Sequence, residues 1–282
     1  MTHINHNGRL VAGDSPVVDA GNRGLRFGDG LFETIKYRNN EFQLLDEHLQ
    51  RLWTGMKKMK FELPALFTQQ KIAAELLKLV QKNKHTHARV RLLLIRGNGG
   101  LYDPENLQPN FIIQSWQLED DFGKLNSNGL QLCIYRDAVK PCDDFSNLKH
   151  NNFLPYLMGA LYAKEQQCND AIILNQHGRI SDTTIANIFL IRDKTISTPA
   201  LSEGCIAGTM RQFLVNNLAA AGFTITEKPI TEADLQDADE IFISNSMTPM
   251  KWIAAIGDQQ YGNEQTLAVY NTMCRTFPSI FC

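Results

Sequence analysis

The sequence predicts a mixed α/β (α+β) protein of two domains: a small N-terminal α/β domain at residues 1–120 and a larger, β-rich C-terminal α/β domain at 130–282, joined through a linker at 121–129. Three observations predict it. Stretches with the period-two alternation of strands recur between stretches with helical apolar spacing. The 282 residues are enough for two hydrophobic cores. The polar run Glu119 to Gly129 separates the two halves.

Composition narrows the function classes. A hydrophobic fraction of 43% with 21% charged residues is that of an ordinary globular protein, and a net charge of −2 argues against nucleic acid or an anionic membrane as the main partner. No apolar run approaches the roughly 20 residues of a membrane span, and the polar start Met1-Thr2-His3-Ile4-Asn5-His6 is not a signal peptide, so a cytoplasmic location is expected. Cys133, Cys142, Cys168, Cys205, Cys274 and Cys282 form no Cys-x-x-Cys pair, and reduced thiols are expected. His3/His6 and His85/His87 lack thiol or carboxylate neighbours at ligand spacing, so no metal site is expected.

In the first half, residues 8–18 read as a short strand with a turn at Gly13-Asp14, and Gly21 to Gly30 as glycine-rich turns or a close backbone approach. Leu31 to Tyr37 reads as a strand, Glu41 to Leu45 as its hairpin partner, and Asp46 to Met59 as a helix with Asp46 as N-cap. A second helix is expected over Thr68 to Lys82, with Ile72, Leu76, Leu79 and Val80 on one stripe. Two strands follow, Ala88 to Ile95 and Asn110 to Leu118, and the turn after the first leaves Arg96 at a strand end.

The second half opens on the alternating strand 131–139. Lys149 then lies in a polar loop before the apolar helix Phe153 to Ala163, where a partly desolvated amine can act as nucleophile or base. Ala171 to Leu174 reads as a buried strand and 175–178 as a hairpin turn. The return strand 180–189 has a polar middle that suggests a bulge beside a site. Gly204 to Arg211 opens an amphipathic helix whose start, with Thr209, reads equally as an ordinary N-cap or as an anion site. A strand at 223–230, a short helix from Thr231, and the strand Glu240 to Ser244 ending in Asn245-Ser246-Met247-Thr248-Pro249 complete the reading.

A lysine between domains, a carboxylate on a nearby strand and an anion-binding helix start suggest pyridoxal 5'-phosphate, which needs an amine for its aldehyde, an acid for its ring nitrogen and a cradle for its phosphate. The chain also resembles the fold-type IV pyridoxal-phosphate enzymes, a class that includes branched-chain and D-amino-acid aminotransferases and 4-amino-4-deoxychorismate lyase. Phe27 to Glu33, His48 to Leu52, Ser146 to Lys149, Asp182 with Asn187 to Phe189, Gly204 to Arg211 and Glu240 to Ser246 carry the resemblance. It implies that Lys149 is the Schiff-base lysine, Arg51 a phosphate-binding arginine, Thr209 and Met210 a backbone-donor pair to phosphate, and Ser246 a phosphate-binding hydroxyl. It further implies Asp182 as the ring-nitrogen partner and substrate contacts at Arg96 and Phe32. A homodimer is implied as well, with the cofactor in the cleft between the domains and partner residues near each site.

The chain departs from the family pattern at three of these positions. Asp182 replaces the usual glutamate and requires the strand to sit closer to the ring, or a water to intervene. Met210 replaces a common threonine, and Phe32 a tyrosine of the D-amino-acid enzymes. Lys149-His-Asn-Asn152, Arg96-Gly-Asn-Gly-Gly100 and Asn245 to Pro249 are similar to the lyase, whereas Glu33 is typical of transaminases. The resemblance thus places the lyase reading first, an aminotransferase second, and a non-catalytic binding or dimerisation module as the alternative of another class.

Overall fold

The computed structural model describes residues 2–119 and 122–281; residues 1, 120, 121 and 282, which include the first of the polar start, the first of the linker and the last of the six cysteines, lie outside that description. The chain forms two compact units, Met1–Asp120 with Leu148–Asn152, and Asp121–Asn147 with Phe153–Cys282.

The first unit is built on a six-stranded antiparallel sheet. Its elements are β1 (His3–His6), β2 (Arg9–Ala12), α1 (Arg23–Phe27), β3 (Gly30–Arg38), β4 (Glu41–Phe42), α2 (Leu45–Lys58), α3 (Gln69–Lys82), β5 (Ala88–Arg96) and β6 (Pro109–Gln117), and the sheet order is β2-β1-β6-β5-β3-β4. The inward alternates of β3 and β5, Leu31, Ile35, Val90, Leu92 and Leu94, pack with Leu49, Leu52 and Met56 of α2 and the predicted stripe Ile72, Leu76, Leu79 and Val80 of α3. The opposite sheet face carries Phe32, Thr34, Arg89 and Arg91, because successive side chains on a strand point to opposite faces.

Several local expectations change here. Residues 8–18 do not hold one strand; β1 and β2 form a hairpin whose turn is Asn7-Gly8, both at positive φ. The glycine-rich stretch folds into α1, capped by the Asn22 side chain and closed by Gly28 at φ 66. The positive φ favours glycine, and a Cβ on Gly28 would fall 2.2 Å from Asn152 Oδ1, so that side chain would have to move. The hairpin partner shrinks to two residues because Leu44 turns left-handed and caps α2. Asp46 is therefore not the N-cap; it lies in the first turn with Glu47, where its charge favours the helix dipole. Thr68, read as the first residue of the second helix, is its N-cap and accepts from the Lys71 N–H.

The second unit contains β7 (Leu130–Lys140), α4 (Leu154–Glu165), β8 (Asp170–Asn175), β9 (Ile180–Thr183), β10 (Asn187–Arg192), β11 (Thr195–Pro199), α5 (Thr209–Leu218), β12 (Thr224–Lys228), α6 (Glu232–Gln236), β13 (Glu240–Ser244), β14 (Lys251–Ile256), β15 (Gln259–Gln260), α7 (Glu264–Thr276) and α8 (Pro278–Phe281). The sheet order is β12-β11-β10-β13-β14-β7-β8-β9, with β15 on β14. β7 and β8 are parallel neighbours, and parallel neighbours need a crossover, which α4 supplies. β8 is buried at every position, and its middle, Ala171 to Leu174, is apolar throughout.

The polar stretch in the return strand proves to be more than a bulge. Ser181 is left out of the β8–β9 register, and the strand then breaks at 184–186, where the Thr183 N–H bonds to the Ala186 carbonyl and the chain turns into β10. The last strands and helices, β14 to α8, bring Val269 and Met273 into the core and were not anticipated from the sequence. Among the described residues no helix is long and apolar enough to cross a membrane.

Candidate active site

Lys149 belongs to the first unit, contrary to the sequence division that assigns it to the C-terminal domain. Leu148 enters the first core, the Phe32 N–H donates to the Lys149 carbonyl at 2.9 Å, the Asn151 N–H donates to the Gly30 carbonyl at 3.0 Å, and His150 bridges to Leu31. These backbone bonds dock the segment onto the start of β3. The Lys149 ammonium consequently lies 4.5 Å from the centroid of the Phe32 ring, within cation–π range.

One residue along β3, on the helix-facing side, Glu33 is 1% exposed and organises the neighbouring charges. It accepts from His48 Nδ1 at 2.6 Å and from Arg51 Nε at 2.8 Å, and a second Arg51 nitrogen donates to its other oxygen. Burial by itself would raise the Glu33 carboxyl, but the Arg51 charge and the His48 and Arg51 hydrogen bonds bring it down to about 2. Burial pushes the His48 pKa down against the opposing pull of Glu33, so at neutral pH the ring is neutral and donates through Nδ1, while Arg51 carries the positive charge. Arg51 is thus aimed by a bidentate carboxylate. The motif residues Glu33, His48 and Arg51 form one cluster because α2 packs on β3.

Arg96 lies elsewhere. Its Nε contacts Asp29 at 2.9 Å, its other nitrogens donate to the Lys60 and Met59 carbonyls at 3.1 and 2.5 Å, and its guanidinium lies 4.1 Å from the Phe61 ring centroid. In this structure it braces the end of β5. The charges that stand open on the sheet are two others, Arg89 and Arg91. Arg91 stacks 4.3 Å from the Phe32 centroid and Arg89 4.5 Å from that of Trp116. They line a cavity of ≈ 310 Å³ with Thr34, Gln114 and Trp116, and among the described residues no carboxylate pairs with either. Burial and the Arg89 charge both depress the Arg91 pKa. The sequence signal was present in Arg89-Val-Arg91, two cations at strand spacing within an apolar strand.

In the second unit Asp182 is 2% exposed on β9. Oδ1 accepts from Asn187 Nδ2 at 2.8 Å; Oδ2 accepts from the Tyr156 hydroxyl at 2.8 Å and the Ile206 N–H at 2.9 Å. Lys140 Nζ is 3.7 Å from Oδ2. Asn187 also donates to the Ile206 carbonyl, so it ties β10 to the segment before α5. That helix starts at Gly208 with no side-chain cap and no acid in its first turn, leaving Thr209 and Met210 as its first residues. Ser244 pairs directly with Asn187 and therefore shares its face; its buried hydroxyl has no hydrogen-bond partner. Ser246 follows in the loop, which Asn245 Oδ1 shapes by accepting from the Met247 and Thr248 N–H groups at 2.9 and 2.8 Å.

The expected site residues therefore fall into two groups, Lys149, Phe32 and Arg51 in one unit and Asp182, Thr209, Met210 and Ser246 in the other, with Arg96 apart. Tyr156, Lys140 and Ser244 were missed in the sequence because each is recruited by a register rather than by a local pattern. Among the described residues no group of three His, Cys, Asp or Glu side chains could hold a metal ion.

The family model described as amino-transferase class IV matches residues 30–256. The chain is 26% identical over 243 residues to an aminodeoxychorismate lyase of Vibrio harveyi, covering 85% of this chain and 87% of the relative, and 27% identical over 262 residues to a D-alanine aminotransferase of Listeria innocua, covering 89% and 87%. Its fold matches the crystal structure of the branched-chain amino acid aminotransferase of Escherichia coli with a TM-score of 0.88 at 22% identity, over 99% of this chain and 95% of the other.

Proposed function

Because the chain belongs to the amino-transferase class IV family and has the fold of the type IV enzymes, we propose that it is a pyridoxal 5'-phosphate enzyme using Lys149, and that its reaction is the 4-amino-4-deoxychorismate lyase reaction, giving 4-aminobenzoate and pyruvate for folate synthesis. The residues fit the cofactor. Asp182 Oδ1 has a single donor and so an open acceptor position for a ring N–H, and the unpartnered Ser244 hydroxyl lies on the same face as Asn187. The α5 start offers backbone N–H groups without a competing acid. Arg51, Thr209, Met210 and Ser246 would hold the phosphate, Asp182 the ring nitrogen and Lys149 the aldehyde carbon.

When bound, the cofactor supplies an aldehyde that captures the substrate amine and a ring that accepts electrons. Lys149 would be the group that moves the proton at the substrate carbon that bears nitrogen. Phe32 holds the amine of Lys149 on its ring, which limits the conformations the side chain can visit.

The observation that carries the substrate choice is the Arg89/Arg91 pair. Two guanidinium groups without a carboxylate partner, Arg91 on the Phe32 ring and Arg89 on that of Trp116, suit a substrate that brings carboxylates into the cavity, which the aliphatic side chain of a branched-chain amino acid does not. Aminodeoxychorismate carries two carboxylates. An aminotransferase acting on branched-chain or D-amino acids is the second reading, favoured by the Listeria relative.

We take the assembly to be a homodimer and the compartment to be the cytoplasm, where the thiols of Cys133, Cys142, Cys168 and Cys205 stay reduced. The deciding assay supplies aminodeoxychorismate and, separately, branched-chain and D-amino acids with 2-oxoglutarate, and follows pyruvate, 4-aminobenzoate and glutamate. Pyruvate and 4-aminobenzoate without amino-group transfer are expected. Rapid transamination with no aromatic product would overturn the lyase reading, and a colourless protein that takes up no pyridoxal phosphate would favour a non-catalytic module.

A further inference from the structure

Lys140, at the end of β7, is 4% exposed, and a buried lysine without a strong partner is costly. Its ammonium donates to the Ser146 carbonyl at 2.9 Å and lies 3.7 Å from Asp182 Oδ2 and 5.1 Å from the Tyr156 ring centroid. Tyr156 and the Ile206 N–H donate to the same Oδ2, at 2.8 and 2.9 Å. Of the contacts to the Asp182 carboxylate, those of Lys140, Tyr156 and Ile206 fall on Oδ2, and that of Asn187 falls on Oδ1. Oδ2 takes two hydrogen bonds and faces the ammonium, whereas Oδ1 takes one hydrogen bond and has an acceptor position left over.

This arrangement has an electrostatic consequence for any protonated ring nitrogen placed against Asp182. An isolated buried carboxylate would bind that cation as a one-to-one pair. Here the carboxylate already faces one ammonium, so a second positive charge gives two cations on one buried anion, and the ring proton is held less tightly. Burial lowers the Lys140 pKa while Asp182 pulls it back up, the opposition expected of a cation held in place by that carboxylate.

We propose that Lys140 is a positioning residue that works through Asp182: with Tyr156 it fixes which carboxylate oxygen is presented to the ring nitrogen, and its charge weakens the hold on the ring-nitrogen proton. The proposal rests on the cofactor reading above, in which Asp182 meets that nitrogen.

The test is to reconstitute wild type, Lys140→Met and Tyr156→Phe with pyridoxal phosphate labelled with ¹⁵N in the ring, and to follow the ring-nitrogen chemical shift against pH. Lys140→Met is expected to keep the ring proton to a pH higher by about one unit or more, the scale of one nearby like charge removed from a buried site. Tyr156→Phe, which strips a donor from Oδ2 and makes the carboxylate more basic, is expected to move it the same way by less. A purely structural role would lower cofactor affinity or melting temperature and leave the titration in place. Coincident titrations of wild type and Lys140→Met overturn the proposal. If Lys140→Met does not fold by circular dichroism, an unmoved titration in Tyr156→Phe overturns it instead. A wild-type protein that binds no pyridoxal phosphate is a separate outcome, which overturns the cofactor reading and this proposal with it.

Discussion

Glu33 shows how much a single buried residue decides. Its carboxyl, brought from 4.5 to about 2 by Arg51 and His48, contributes stability that is complete above pH 4.5 and is lost as the pH falls toward 2. At ~1.4 kcal/mol per unit this amounts to roughly 3 kcal/mol. His48 adds to the loss with the same sign: its proton affinity is depressed in the folded chain, so its contribution is present above its ordinary 6.5 and declines as the pH drops below that value. Urea denaturation from pH 7 to pH 3 should therefore show steadily falling stability. Glu33→Gln should flatten the slope below pH 4.5 while costing about 3–5 kcal/mol at pH 7, since it leaves the Arg51 charge without its anion. An unchanged acid slope in that variant would show that Glu33 is not the titrating group.

The arginine pair makes a second prediction at this scale. Replacing Arg89 and Arg91 by Gln removes two cations from the cavity without touching Lys149 or Glu33. KM for aminodeoxychorismate is expected to rise about 10-fold or more, with kcat changed less, each lost charged contact contributing ~1.5–3 kcal/mol. A KM equal to wild type would remove the reason for preferring an anionic substrate.

Among the elements, the turn into α5 is the most sensitive to crowding. Gly208 sits at φ −64, which alanine adopts without strain, yet a Cβ there would lie 2.0 Å from Asn187 Oδ1. The helix itself tolerates alanine; the amide that holds Asp182 does not. Gly208→Ala should thus destabilise the protein by about 1–3 kcal/mol and weaken pyridoxal phosphate binding about 10-fold or more, read from melting and from cofactor titration. Normal cofactor affinity in this variant would mean that Asn187 has room to move without disturbing Asp182. The strand break at 184–186 belongs to the same scale. It lets β9 and β10 leave one another, so that Asp182 and Asn187 converge on one carboxylate contact instead of alternating along one continuous strand.

At the scale of the whole molecule, α4 carries an uncovered apolar stripe. Leu154, Leu157, Met158 and Leu161 are 65%, 56%, 40% and 48% exposed, and their spacing puts them on one helix face. Such a stripe is a liability for a monomer and a natural seat for a second copy. Leu157→Glu with Leu161→Lys is expected to halve the mass measured by sedimentation equilibrium. A wild type that already sediments as a monomer would rule out the homodimer.

The sequence by itself determined the alternation of strands and helices, the α3 stripe, the helix starts at Thr68 and Thr231, and the motifs holding Lys149, Arg51, Asp182 and Thr209, because periodicity and spacing are carried by neighbouring residues. Tertiary structure alone decided that Leu148–Asn152 joins the first unit, that Glu33 gathers His48 and Arg51, that Arg96 braces a strand end while Arg89 and Arg91 stay open, and that Lys140 and Tyr156 converge on Asp182. Each of these depends on strand register and helix docking between segments far apart in the chain, and a one-residue slip would turn the same side chains to the other face.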